Sequence, residues 1–461
     1  MTTEAQFLDY GTKVATVEPG GVEQIPDNER HGRPWGLLAT WTSPNLEFAT
    51  IFVGCLGPIL GMSFWPAVTA ILVGTLLGSV CHGVLSTWGP SSGLAQMVLG
   101  RNAFGRIGNW VPSGVNALVA GIGWFAVNSV SGTLALETLF HGPKWVWLLI
   151  VVAAQMVLAV FGHNLVQAFE RYAFPVLGVI FVVGAIVIFT KAHAGTANPG
   201  FHMPGNWWIE MSAAWGYAAG WNPYASDYTR YLPKTVSLPS VGWAAGLGVF
   251  VSCGFLEIAG AAASTVNFNA GVYEPGDYTH LMATWLGDIT LVAIAVGAVA
   301  ANALNIYSGA MSALATGIRI SFGRARAIVA GVFGVVGFFL ALTALHGNLA
   351  DDYNDFLLII AYWITPWVAI VFVDRVMRRG KDHAAFALAG EHKAPLAGAT
   401  TFVLSVAISV FLFSNQTKYV GALVKSHPYL GDITPLAGFA MAWILYPLFI
   451  RLFKAAEEAI L

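Results

Sequence analysis

Residues 40–58 read TWTSPNLEFATIFVGCLGP, and they decide the fold class. The flanks are apolar enough to enter hydrocarbon. Yet Pro44 removes a backbone donor in the middle, Ser43, Asn45 and Glu47 surround it, and a Gly57-Pro58 pair follows. Polar groups in hydrocarbon are costly unless satisfied. Two interruptions in one span therefore predict a discontinuous helix whose opened backbone lines a site. Glu47 lies near the middle of that span. A helix that started late would leave it at the headgroups instead. The apolar residues before Ser43, and a next span that begins almost at once after residue 61, favour the buried position.

Outward from that segment, the rest of the chain has the same solvent. Of 461 residues, 56% are hydrophobic and only 10% charged, against about 25% charged in an average soluble domain. One water-soluble core could not hide so much apolar surface. The net charge of -2 gives no field to draw in nucleic acid. Cys55, Cys81 and Cys253 all lie in apolar runs, and three buried thiols make no disulfide frame. The 51 glycines and 17 tryptophans suit helices packed closely in lipid with aromatic interface belts.

A membrane-crossing helix needs about 20 apolar residues. Twelve candidates lie near 36–61, 64–87, 110–139, 145–162, 172–190, 207–229, 240–266, 284–316, 327–345, 353–374, 396–415 and 434–453. With both ends inside, only Lys144, Lys191, Lys418 and Lys425 of the 22 basic residues fall outside, leaving 18 on the cytoplasmic face. That asymmetry is what the positive-inside rule demands. The first thirty-odd residues hold no apolar run, so no cleavable signal peptide is expected and the chain is expected to start in the cytoplasm. The organisation expected is a cytoplasmic arm (1–34), a ten-helix core (35–374), and a last part (375–461) with a basic cytoplasmic loop, two more helices and a short tail.

Exceptions to plain apolar sequence cluster in a few spans. The sixth reads AAWGYAAGWNPYASDYTRYLP, residues 213–233. Gly216, Gly220 and Pro223 allow unwinding, and Tyr217 and Trp221, four apart, offer flat stacking surfaces. Asp227 and Arg230, three apart, read as interfacial. In the third span, Trp124 and Asn128 share one helical face, with Gly121 leaving space one turn before. A ring over an amide suits a flat, hydrogen-bonding ligand, although such a pair is also ordinary helix packing. The eighth span carries Asn302 and Asn305, followed by Ser308 and Ser312, where buried amides also serve as helix–helix glue. Glu257 lies near mid-membrane in the seventh span. A carboxyl in low dielectric favours its neutral form, which suits a proton carrier. Gly74 and Gly78 in the second span fit small-residue packing.

No enzyme constellation appears. His31, His141, His163, His202 and His346 lie in loops, and His82 stands alone on an apolar helix. A Gly-rich Lys loop for ATP is missing. The stretch WGPSSGLAQMVLGRNAFGRIGN (88–109) lacks the strand that a dinucleotide site needs.

That stretch, together with GHNLVQAFERYAFP (162–175), GWNPYASDYTRYLP (220–233) and NALNIYSGAMSAL (302–314), resembles the nucleobase–cation symporter family in its purine–cytosine permease branch. The resemblance runs from about residue 30 to the end. It implies an all-α membrane fold of twelve transmembrane helices. Five-plus-five inverted repeats (about 35–190 and 207–374) have broken helices 1 and 6, and two extra helices follow. It also implies a midplane substrate site. There the family's stacking Trp matches Trp124, the polar residue four later matches Asn128, and the eighth-span amide matches Asn305, with Asn302 nearby. The sixth-span aromatic matches Trp221, with Tyr217 as competitor, and Ser43 matches a first-span polar position.

One departure bears on the driving ion. Sodium-coupled relatives place hydroxyls one turn before the substrate Asn, where this chain has Val299-Ala300-Ala301. Sodium needs several hard oxygen ligands. Proton coupling through Glu47 or Glu257 is therefore expected, with no cofactor. Glu47 could instead bond a substrate N–H. The function expected is import of cytosine or a purine across the plasma membrane by proton symport and alternating access. The alternative is a carrier, sodium- or proton-coupled, of a hydantoin, allantoin or a B-vitamin.

Overall fold

The computed structural model describes residues 12–14, 18, 21–161, 163–318, 322–347, 349–379, 387–388 and 395–460. Much of the expected loop after residue 375 lies outside the described residues. Among the described residues the fold is all-helical apart from one isolated bridge between Asn415 and Val420. Among the described residues, eight helices are long and apolar enough to cross a membrane.

The expected first span is divided. Helix α1 (Gly36–Thr42) passes into a tight turn at Ser43–Asn45, and α2 (Phe48–Ile59) restarts with Glu47 as its N-cap. The second expected interruption is absent. Pro58 sits inside the last turn of α2, where its missing donor costs one bond, and the helix ends at the next residue. The Pro58 carbonyl accepts from the Gly61 N–H at 3.0 Å and from Asn198 Nδ2 at 2.7 Å. Next comes α3 (Phe64–Ser86). The third span is α4 (Trp110–Leu118), one π-helical stretch (Val119–Trp124) and α5 (Phe125–Phe140). Then follow α6 (Lys144–Phe161) and α7 (His163–Lys191), the latter beginning well before the expected residue 172. The sixth span divides into α8 (Asn206–Ala219), a tight turn at Asn222–Tyr224 and α9 (Ala225–Thr229). The remaining long helices are α10 (Leu238–Val266), α11 (Thr284–Ala315), α12 (Phe322–Ala344), α13 (Leu349–Met377), α14 (Pro395–Phe413) and α15 (Thr434–Ile460).

Small residues set the spacing of the inner helices. A Cβ built on Gly54 of α2 would overlap the Glu257 carbonyl of α10, and one on Gly260 would overlap the Ile51 carbonyl of α2. The two backbones therefore touch through reciprocal glycines. Gly78 of α3 plays the same part against α8, where a Cβ would lie 2.7 Å from Ala218. Close backbone approach is how helices gain packing energy when lipid supplies no hydrophobic drive.

Asp227 and Arg230, expected at an interface, are buried inside the protein. They are 1% and 0% exposed, because other segments cover that end of the bundle. Asp227 Oδ1 accepts from the Gln96 N–H at 2.8 Å. Arg230 donates to the Gly21 carbonyl at 2.6 Å and pairs with Glu18 at 3.1 Å. Sequence position places these residues near a membrane boundary, but the N-terminal arm folds back over them.

Overpacking a tight helix contact costs about 1–3 kcal/mol. Gly260→Val should therefore lower the thermal unfolding midpoint of the detergent-solubilised protein. Gly178→Ala, which meets nothing within 4 Å, should leave it unchanged. Equal midpoints for the two variants would contradict the reciprocal-glycine contact.

Candidate substrate site

The interrupted segments and the third and eighth spans surround a narrow cavity of about 10 Å³. Its wall is Glu47, Trp124, Asn128, Tyr217, Gly220, Trp221, Ala301 and Asn305. Five of the seven residues expected to bind substrate therefore meet at one place, together with one of the two carboxylates. The side chains close on one another and leave room for about one water.

Local backbone explains the wall. Trp124 ends the π-helical stretch, a geometry that re-aims side chains and is frequent at functional sites. Its ring meets Tyr217 edge-on at 5.4 Å and Phe356 of α13 at 5.1 Å between centroids. Gly220 lies under it, since a Cβ there would come within 3.3 Å of the indole. Gly121, expected to leave space beside Trp124, is instead filled by the Phe333 ring of α12. Trp221 donates from Nε1 to Asn45 Oδ1 at 2.9 Å, which ties the sixth-span turn to the first.

The amides are ordered by Asn302, which stands one layer behind the wall. Its Nδ2 donates to the Phe125 carbonyl at 2.9 Å. A carbonyl only accepts, so this bond fixes which way the amide points. Asn302 Oδ1 then accepts from Asn128 Nδ2 at 3.0 Å and from Asn305 Nδ2 at 3.1 Å. Both wall amides thereby spend one N–H on Asn302, and neither Oδ1 has a donor among the described residues. The site presents two amide carbonyl oxygens beside an indole.

Glu47 bounds the same space. Its Oε2 accepts from the Ala49 N–H at 2.9 Å and from Ser131 Oγ at 3.2 Å, and Oε1 lies 3.3 Å from Tyr217 Oη. Ser131 in turn lines a larger, mostly apolar cavity of about 420 Å³ with Phe48, Phe52, Val130, Tyr353 and Phe356. Glu47 and Trp124, with Phe356, thus divide a wide vestibule from the closed cavity.

Ser43 and Glu257 are not on the wall. Ser43 is buried in the first-span turn. Glu257 accepts from Thr75 Oγ1 of α3 at 2.5 Å, with the buried Glu210 of α8 within electrostatic reach. Sequence reasoning missed Glu210, and also Glu170 of α7, which is buried beside Ser43. Ser131 was missed as well, although its spacing of seven from Trp124 and three from Asn128 puts it on their face. Among the described residues no group of His, Cys, Asp or Glu could hold a metal ion.

Four similarities bear on identity. Residues 24–396 match the family described as "Permease for cytosine/purines, uracil, thiamine, allantoin". The putative purine-cytosine permease YxlA of Bacillus subtilis is 28% identical over 443 residues, covering 93% of this chain and 95% of that protein. The purine-cytosine permease FCY21 of Saccharomyces cerevisiae is 27% identical, covering 95% of this chain and 87% of its own length. The solved structure of Mhp1, a nucleobase-cation-symport-1 family transporter, closed with bromovinylhydantoin bound, superposes with a TM-score of 0.73. It does so at 17% identity, covering 95% of this chain and 96% of that one, so the two share a fold. This chain belongs to the family of membrane permeases for cytosine and purines, uracil, thiamine and allantoin.

Proposed function

We propose that the protein is a secondary active carrier that imports a nucleobase, cytosine or a purine, by proton symport through alternating access. The observation that carries this reading is the amide direction fixed by Asn302. Asn128 and Asn305 turn carbonyl oxygens toward the cavity, and those oxygens match the amino and ring N–H donors on the edge of cytosine or adenine. Trp124 supplies the face on which a ring stacks, with Trp221 and Tyr217 opposing it. Ser43 supports the turn from behind.

The closed cavity is too narrow for a base with its walls as they stand. The proposal therefore includes parting of Trp221 and of the Trp124–Phe356 contact, which opens the site to the vestibule on one side at a time. Twelve spans are obtained by adding the divided first and sixth segments, α6 and α12 to the eight long helices. Helix pairing supports the two inverted repeats at about 35–190 and 207–374. The first span packs on the seventh and the sixth on the second, as a two-fold relation would require. The proposal has both termini in the cytoplasm and the carrier in the plasma membrane, which the excess of basic residues on one side supports.

For the ion, Glu47 is on the cavity wall whereas Glu257 is bonded to Thr75 away from it, so we assign the coupling proton to Glu47. One turn before Asn305 the eighth span offers Ala301 to the wall, a residue with no side-chain oxygen for a sodium ion. A second reading has one observation in its favour: the family description includes thiamine and allantoin, and Mhp1 is seen with a hydantoin. A thermal-shift screen of purified protein against bases, hydantoins and B-vitamins separates the two, since a true ligand stabilises the folded state by mass action.

Radiolabelled cytosine and adenine should accumulate in cells that lack their own carriers and express this chain. External acid should increase uptake, and a protonophore should abolish accumulation. Replacing sodium should leave it unchanged. Absence of uptake of any base at normal surface expression would refute the assignment.

Stacking on an aromatic platform is worth about 1–3 kcal/mol per base. Trp124→Ala should therefore raise the KM for uptake roughly tenfold or more. Gly220→Val, which presses on the same indole, should impair uptake without loss of surface protein. A Trp124→Ala carrier with wild-type KM would remove the indole from the site.

A further inference from the structure

The hydrogen atoms around Glu47 can be counted. Thr50 Oγ1 lies 2.6 Å from the Asn45 carbonyl, which can only accept, so the single Thr50 hydroxyl hydrogen is committed there. Thr50 Oγ1 also lies 2.5 Å from Tyr217 Oη. With its own hydrogen spent, Thr50 must accept, and the phenol hydrogen of Tyr217 is committed to Thr50. Tyr217 Oη then has only lone pairs left for Glu47 Oε1, 3.3 Å away. A hydrogen bond between those two oxygens needs a hydrogen that neither Tyr217 nor Thr50 can supply.

We propose that Glu47 is a neutral carboxylic acid in this conformation, with its proton on Oε1 and donated to Tyr217 Oη, and that Thr50 and Tyr217 tie this proton to the Asn45–Trp221 contact of the cavity. The proposal rests on Glu47 as the coupling carboxyl and says how its proton is read by the site. Oε2, as the carbonyl oxygen of the acid, accepts from the Ala49 N–H and Ser131 Oγ, so every polar atom of the group is satisfied.

Groups facing Glu47 agree. Tyr217 of α8, Tyr353 of α13 and Cys253 of α10 are the titratable neighbours within electrostatic reach. From α11, Gly297 approaches its Cβ, and α5 offers the Ser131 hydroxyl. No ion pair to Glu47 is present among the described residues. The N-terminus of α2 would favour a carboxylate. That preference gives the ionised form a stable home once the proton has gone.

The consequence of losing the proton follows from the same count. Tyr217 Oη and Glu47 Oε1 become two acceptors with no hydrogen between them. Tyr217 must turn its hydrogen to Glu47. Thr50 must then turn its own to Tyr217, and the Asn45 carbonyl loses its donor. Asn45 also holds Trp221 through Oδ1, and its Nδ2 bonds the Trp41 carbonyl at 2.7 Å and Ser252 Oγ at 3.0 Å. Deprotonation therefore loosens the first-span turn that anchors a cavity aromatic. Proton and substrate are thereby linked through a chain of four residues, beside the place Glu47 itself takes on the cavity wall.

Infrared difference spectroscopy of the full-length protein in lipid at neutral pH tests this without any substrate. The wild type should show a carboxylic-acid C=O band that Glu47→Gln removes. In Tyr217→Phe the band should move to higher frequency, because the acid O–H has lost its acceptor. In Thr50→Val the Tyr217 hydrogen is released toward Glu47, and the acid-to-carboxylate ratio should fall about tenfold, the worth of one hydrogen bond. Thr50→Ser, which keeps the hydroxyl, should retain the wild-type band. Unchanged thermal midpoints identify the variants as folded. Absence of a Glu47 acid band in the folded wild type, or a band indifferent to Tyr217→Phe, overturns the proposal. Failure of base uptake with the bands as described would instead overturn the carrier assignment and leave the protonation result standing.

Discussion

Backbone opened inside a bilayer has no water to bond, and the first-span turn is organised around that constraint. Between α1 and α2, the Leu46 N–H donates to the Ser43 carbonyl at 3.0 Å, and Asn45 Nδ2 covers the Trp41 carbonyl. Thr50 covers the Asn45 carbonyl and Glu47 caps the Ala49 N–H. The side chains that repair the break also bound the cavity or hold its rings. Pro44 and Pro223 lie in the two turns, so the same residue type that prevents a continuous helix creates the demand that polar side chains meet.

A second constraint acts from the third and eighth spans. Asn302 cannot reverse its amide without setting its oxygen against the Phe125 carbonyl. That one bond decides that Asn128 and Asn305 present acceptors to the cavity. An unpaired buried acceptor is costly. Each of these amides also keeps one N–H that Asn302 does not take, so the wall offers acceptors beside donors. Selectivity in this account arises one layer behind the wall, in a residue that does not itself face the cavity.

Much of this was legible in the sequence, and the failures have physical causes. Helical spacing showed Trp124 and Asn128 on one face and Asn305 as a buried amide, which ordinary packing explains equally well, and the family resemblance is what marked them as a site. Asn302 was legible as a residue but not as a positioning group, since which of two neighbouring amides faces a cavity depends on rotation of the helix. Asp227 and Arg230 read as interfacial because sequence cannot show that Glu18 and Gln96, both distant along the chain, fold over them. Glu170 escaped notice because its polar stretch, GHNLVQAFERYAFP, reads as a loop, whereas α7 is helical from His163. Gly57-Pro58 read as a second break, but a proline near a helix end costs little and simply sets where α2 stops.

The central claim is that one closed cavity, bounded by Trp124, the two amide oxygens and Glu47, receives the base. A structure determined with cytosine tests it most directly. The account predicts a ring lying flat on the Trp124 indole, with its amino edge within hydrogen-bond distance of Asn128 Oδ1 and Asn305 Oδ1. Cytosine bound only in the vestibule beside Phe52 and Tyr353, with the closed cavity empty, would contradict it.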